Sequence, residues 1–217
     1  MTPAPPSNSG RTLAGTWTLW ALVILIVALK VFAARASGSV AALTALTDSL
    51  IDLVALGLVA GGASRTFASE APLRRLKGSM VITAGAAMAL VCLWRLTQPA
   101  PLSGGLWGPM AALAVLILTV GLGYLRSRAV AGSTQEARSA ARDQSLAETA
   151  AAGVLVLGLG AGVLLGAPAL DSAAGLILAI WMSWGGWTLI RSASGHEAGV
   201  GPALTPGLPP ARRGPWG

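Results

Sequence analysis

Apolar residues in this chain gather into six blocks of about twenty, at 14–34, 39–62, 79–97, 106–125, 144–165 and 169–190, parted by short basic or Gly/Pro-rich breaks. A helix rising 1.5 Å per residue needs about 20 such residues to cross the ~30 Å hydrocarbon core of a bilayer. The pattern therefore predicts an all-α membrane protein with six transmembrane helices. The third block is diluted by alanine and the fifth opens on polar residues, so these two carry the weakest signal. Six spans leave little chain over. One membrane domain is expected at 14–193, between a disordered segment 1–13 and a disordered Gly/Pro-rich tail 194–217. Neither end holds enough apolar surface to offset the entropy of ordering.

The first block has a rival reading as a secretory signal, with Arg11 before an apolar run and the small residues Ala33, Ala34 and Ala36 after it. The run from Trp17 to Ala34 is longer than a signal core and is interrupted by Lys30. An uncleaved helix is expected.

Composition agrees with the blocks. Apolar residues make up 54% of the chain and charged residues 11%, against about 25% charged in soluble domains. The net charge of +7 would suit a nucleic-acid partner, but the positions of the charges suit a bilayer. If six spans alternate, Arg11, Arg65, Arg74, Arg75, Lys77, Arg126, Arg128, Arg138, Arg142, Arg191, Arg212 and Arg213 share one side; only Lys30, Arg35 and Arg95 lie toward the other. That asymmetry puts both termini in the cytoplasm, and the expected location is the inner or plasma membrane. Basic loops there face anionic lipid, and no aromatic-plus-basic groove suggests nucleic acid. Cys92, the single cysteine, reads as a small apolar packing residue within the third span. His196 reads as a solvated residue of the tail.

Against this background Asp48 and Asp52 are costly. A carboxylate at bilayer depth costs roughly 2.5 to 3.5 kcal/mol on insertion scales. Two of them one helical turn apart repel unless a cation or protons lie between them. The pair therefore points to cation handling. At the start of the fifth block Gln144 and Glu148 repeat the same spacing, so each pair shares one face of its helix. Packed together, the two helices would offer four oxygen donors, a set that can enclose a divalent ion. Asp143 points about 100° away from Gln144 and is expected at the interface near Arg142. The plainer alternative makes Gln144 and Glu148 ordinary interfacial residues. Gly38, Gly57, Gly61 and Gly62 are candidate small contact residues between helices.

The run Leu29-Lys30-Val31-Phe32-Ala33, then Ser37-Gly38-Ser39-Val40-Ala41, then Asp48-Ser49-Leu50-Ile51-Asp52 resembles the first two helices of the cation diffusion facilitator (cation efflux) family. Gly153 and the last helix, opened by Asp171 and ended by Arg191, fit more diffusely. The resemblance implies a six-helix transporter, usually a homodimer, that exports a divalent metal cation in exchange for protons and has no resident cofactor. It implies a site of two carboxylates from the second helix, matched by Asp48 and Asp52, and a His-x-x-x-Asp pair from the fifth. Gln144 and Glu148 stand at the latter positions. Glutamate keeps the charge on a longer arm, whereas glutamine in place of histidine removes a favoured zinc ligand. An all-oxygen set shifts preference from Zn²⁺ toward Mn²⁺, Mg²⁺ or Fe²⁺ and leaves proton exchange to carboxylates.

Two departures from the family matter. The segment Phe67–Arg75, expected as a loop, lacks the histidines of an accessory site. The cytoplasmic domain that usually follows the sixth helix is replaced by the short tail, so a short form of the family is expected. A secondary transporter of a divalent cation is the leading reading. The alternative is a non-transporting membrane subunit that packs with or regulates a full-length transporter. Enzymatic activity is not expected: no nucleophile–base set occurs in a span, and the two aspartates share one helix, unlike an aspartyl-protease dyad.

Overall fold

A computed structural model of the chain describes residues 9–60 and 70–199. They form six helices: α1 (Ser9–Ser37), α2 (Val40–Ala60), α3 (Glu70–Thr97), α4 (Trp107–Ala129), α5 (Gln135–Leu164) and α6 (Pro168–Gly199). The segments 1–8, 61–69 and 200–217, with Gly61, Gly62 and most of the expected tail, lie outside the described residues.

Each apolar block falls on one helix, and every helix but α2 runs past its block at one end or both. Ser9–Leu13 joins α1, and α6 continues to Gly199, so the backbone at His196 is helical. Glu70–Arg75, expected in a loop, belongs to the first turns of α3. On α5 the extension has a local cause. Thr134 has an extended backbone and its hydroxyl accepts from the Ala137 amide at 3.4 Å, an N-cap well ahead of the apolar run. The 30 residues of α5 span about 45 Å, so one end must project beyond a ~30 Å core. Residues 135–144 are mostly exposed and form that projection.

Five stretches of the described residues are long and apolar enough to cross a membrane: Thr18–Ser37, Pro72–Thr97, Trp107–Ala129, Gln135–Leu164 and Pro168–Ser194. These make the chain a multi-pass integral membrane protein. α2, which carries both aspartates, falls outside that set and packs against α1, α3, α5 and α6. Large apolar side chains cover the outside, with Leu157 72% and Trp184 71% exposed, as a lipid-facing surface requires.

Small residues set the packing. α3 and α6 lie along each other with Gly78 and Gly85 facing Ala179, Ser183 and Gly186. A Cβ at Gly78 would come within 2.8 Å of the Gly186 carbonyl oxygen and 2.7 Å of Ile190 Cγ1, so only glycine permits this approach. The expected contact glycines are different ones. Gly57 has open space beside it, and Gly38 serves a turn: its φ of 64° ends α1 and lets the chain reverse into α2. Beside that turn Ala33, Ala41, Ala42, Ala112, Leu155 and Leu159 are fully buried in one cluster. This Ala-rich layer closes the bundle at the α1–α2 turn. At the opposite end, which carries most of the arginines, the same helices diverge around a cavity.

Candidate functional site

The cavity measures about 380 Å³ and is walled by α1, α2, α3, α4 and α5, with Leu189 of α6. Its charged lining follows helical periodicity. On α1 the residues Val23, Ile26, Val27 and Lys30 share one stripe; on α4 Thr119, Leu122 and Arg126 do the same. Asp48 and Asp52 on α2 and Gln144 and Glu148 on α5 all line this one cavity. The two pairs singled out by spacing, far apart in sequence, thus face a common space. Asp143 does not line it; it lies exposed with Arg138 and Arg142 on the projecting part of α5.

Each acidic residue has a different neighbourhood. The Asp52 carboxylate is 2.7 Å from Lys77 Nζ of α3. Both oxygens of Glu148 accept from Arg126 Nη1 of α4 at 2.7 Å. Glu148 also accepts from Gln144 Nε2 at 3.0 Å, across one turn of α5, so the Gln144 amide oxygen is the donor atom left for a cation. Among the described residues Asp48 has no ion-pair partner. Lys30 reaches over from α1 to donate to the Ala45 carbonyl at 3.1 Å and to Ser49 Oγ at 2.6 Å. Its ammonium is thereby fixed beside the turn of α2 that carries Asp48.

The cavity lining therefore holds three carboxylates and four cations, Lys30, Lys77, Arg126 and the exposed Arg74. Among the described residues no group of three or more His, Cys, Asp or Glu side chains is drawn together closely enough to hold a metal ion. Asp52 and Glu148 are instead paired with Lys77 of α3 and Arg126 of α4.

Lys30, Lys77 and Arg126 were not foreseen as site residues. Basic residues flanking apolar blocks read as interfacial charges, and in the sequence Lys77 and Arg126 stand only among the charges of the basic side. Their helical phase held the missing signal: Arg126 lies seven residues beyond Thr119 and Lys30 seven beyond Val23, on the inward face. Lys30, expected toward the opposite side, turns inward as well.

Other polar residues serve the fold. Asp171 is buried and accepts from Ser39 Oγ at 2.5 Å and the Val40 amide at 2.8 Å, while Ser39 Oγ accepts from the Ala42 amide at 2.9 Å. Serine and aspartate together cap α2. Cys92 is buried with Thr44 Oγ1 at 4.0 Å, in the packing role expected of it.

No family model matches the chain, and a search of curated proteins found no match.

Proposed function

We propose that this protein is a secondary transporter of a divalent metal cation, working by exchange against protons across the inner or plasma membrane. The observation that carries the reading is the convergence of Asp48, Asp52, Gln144 and Glu148 on one cavity inside a membrane bundle. The resemblance of Leu29–Asp52, which includes both aspartates, to the cation diffusion facilitator family supports it. So does the shape of the bundle, packed shut by alanines at the α1–α2 turn and hollow at the basic end. A transporter working by alternating access needs such a one-sided cavity.

In this reading α2 is a sixth span and the basic end faces the cytoplasm. A cation reaching the cavity from that side passes Asp52, one turn nearer the open end of α2, before Asp48, the carboxylate without an ion-pair partner among the described residues; Glu148 and the amide oxygen of Gln144 complete the set. Oxygen donors favour the harder ions, Mn²⁺, Mg²⁺ or Fe²⁺, over Zn²⁺. On the far side protons replace the metal on the carboxylates. Two copies of the chain would associate as in the family it resembles.

One observation favours the second reading. Asp52 and Glu148 are neutralised by Lys77 and Arg126, and internal pairing is how a non-transporting membrane subunit would keep its carboxylates. Metal binding separates the two. In equilibrium dialysis with Mn²⁺, Co²⁺ and Zn²⁺, a transporter binds metal and loses it in the Asp48→Asn, Asp52→Asn double variant. Absence of binding by wild type, or binding that the double variant retains in full, would argue for the subunit.

A further inference from the structure

We infer that Lys77 and Arg126 are resident counter-cations, displaced together when one divalent ion occupies the carboxylates, and that they set the site's affinity and charge selectivity. The inference rests on the transport reading and names the residues that tune it.

Charge balance carries the argument. Lys30, Lys77, Arg126 and the exposed Arg74 line the cavity together with Asp48, Asp52 and Glu148, a formal excess of one positive charge. A divalent ion added on top of these would raise that excess to three in a confined space. If Lys77 and Arg126 leave their carboxylates as the ion arrives, the balance is unchanged: one divalent charge replaces two monovalent ones. A single monovalent ion can replace only one of them, so releasing both pairs takes a double charge.

Geometry decides which cations leave. Lys30 is tied to Ala45 and Ser49 within α2 and stays. Lys77 and Arg126 lie near the basic ends of their helices, with side chains 32% and 29% exposed. Long flexible stems let their charged heads swing into water without dragging the backbone. Both cations also belong to helices other than those of the ligands. The Lys77 pair ties α3 to α2, and the Arg126 pair ties α4 to α5. Occupation of the site by metal therefore releases two interhelical ties at once, which couples binding to movement of the bundle.

The test is the affinity of the full-length protein for Mn²⁺ and Co²⁺, by equilibrium dialysis in detergent. The variants are Lys77→Met, Arg126→Met, the two combined, and Arg128→Met. Arg128 stacks over the Tyr124 ring at 4.6 Å and does not line the cavity, so it controls for general loss of positive charge. The double variant is expected to bind at least about 10-fold more tightly than wild type, each single variant part of that, and Arg128→Met within about 2-fold of wild type. The charge-conserving Lys77→Arg and Arg126→Lys are expected to stay near wild type. Should the methionine variants not fold, Lys77→Gln with Arg126→Gln gives the same comparison with polar side chains. A double variant that binds no more tightly than Arg128→Met, while wild type binds, overturns the displacement and leaves the transport reading standing. If neither wild type nor the double variant binds either metal, the transport reading falls and the displacement with it.

Discussion

Asp171, in the first turn of α6, holds the first turn of α2: its carboxylate takes the Ser39 hydroxyl at 2.5 Å and the Val40 amide at 2.8 Å. The contact joins residues from opposite halves of the chain at the closed end of the bundle. α2 carries both aspartates of the candidate site, so its N-terminal anchor also fixes how Asp48 and Asp52 address the cavity.

That anchor has a measurable worth. Asp171→Ala leaves the Ser39 hydroxyl and an amide of a buried helix end without their acceptor, which costs about 1 to 3 kcal/mol. Asp171→Asn keeps one acceptor oxygen and is expected to lose less. Unfolding in mixed micelles reads the difference. Stability of Asp171→Ala equal to wild type would show that the cap contributes nothing net.

The α3–α6 contact predicts a sharp contrast between adjacent residues. A Cβ at Gly186 would meet the Gly78 carbonyl oxygen at 2.7 Å and Ile82 Cγ1 at 2.9 Å, whereas one at Gly185 meets nothing within 4 Å. Gly186→Ala is expected to destabilise by about 1 to 3 kcal/mol through overpacking. Gly185→Ala should be neutral or stabilising by up to about 1 kcal/mol, since alanine favours the helix. Equal effects at the two positions would mean the helices are not in this register.

The identity of the residue at 144 should control metal preference. Gln144→His supplies an imidazole nitrogen where only oxygens line the site, and nitrogen donors favour zinc. Affinity for Zn²⁺ relative to Mn²⁺ is expected to rise by about 10-fold or more, a range typical of adjusting the donors around a metal. Competition dialysis of the two ions against the variant measures the ratio. An unchanged ratio would remove Gln144 from the coordinating set.

Much of this was legible from residue spacing. Runs of about twenty apolar residues fixed the helix centres, because a bilayer demands that length. The i, i+4 spacing of Asp48 and Asp52, and of Gln144 and Glu148, put each pair on one face before any packing was known. The ends of α3 and α5 were not legible in the same way. Glu70–Arg75 and Gln135–Asp143 are polar, so they look like loop, yet they continue helices whose cores are held by tertiary packing. Lys77 and Arg126 were hidden for a related reason. A basic residue at the end of an apolar run satisfies the positive-inside pattern whichever way its side chain turns, and only the neighbouring helices decide that it turns inward. Asp171 and Ser39 each announced a helix start, but nothing in their local sequence could join them.

Flux is the most direct test of the central claim. Purified protein in sealed proteoliposomes would be offered Mn²⁺, Fe²⁺, Co²⁺, Mg²⁺ and Zn²⁺ in turn, with Asp52→Ala as the control. Saturable, metal-driven flux that disappears in Asp52→Ala is the predicted result, strongest for Mn²⁺, Mg²⁺ or Fe²⁺. Folded wild-type protein that gives no flux above the control for any of the five ions would contradict the transport reading.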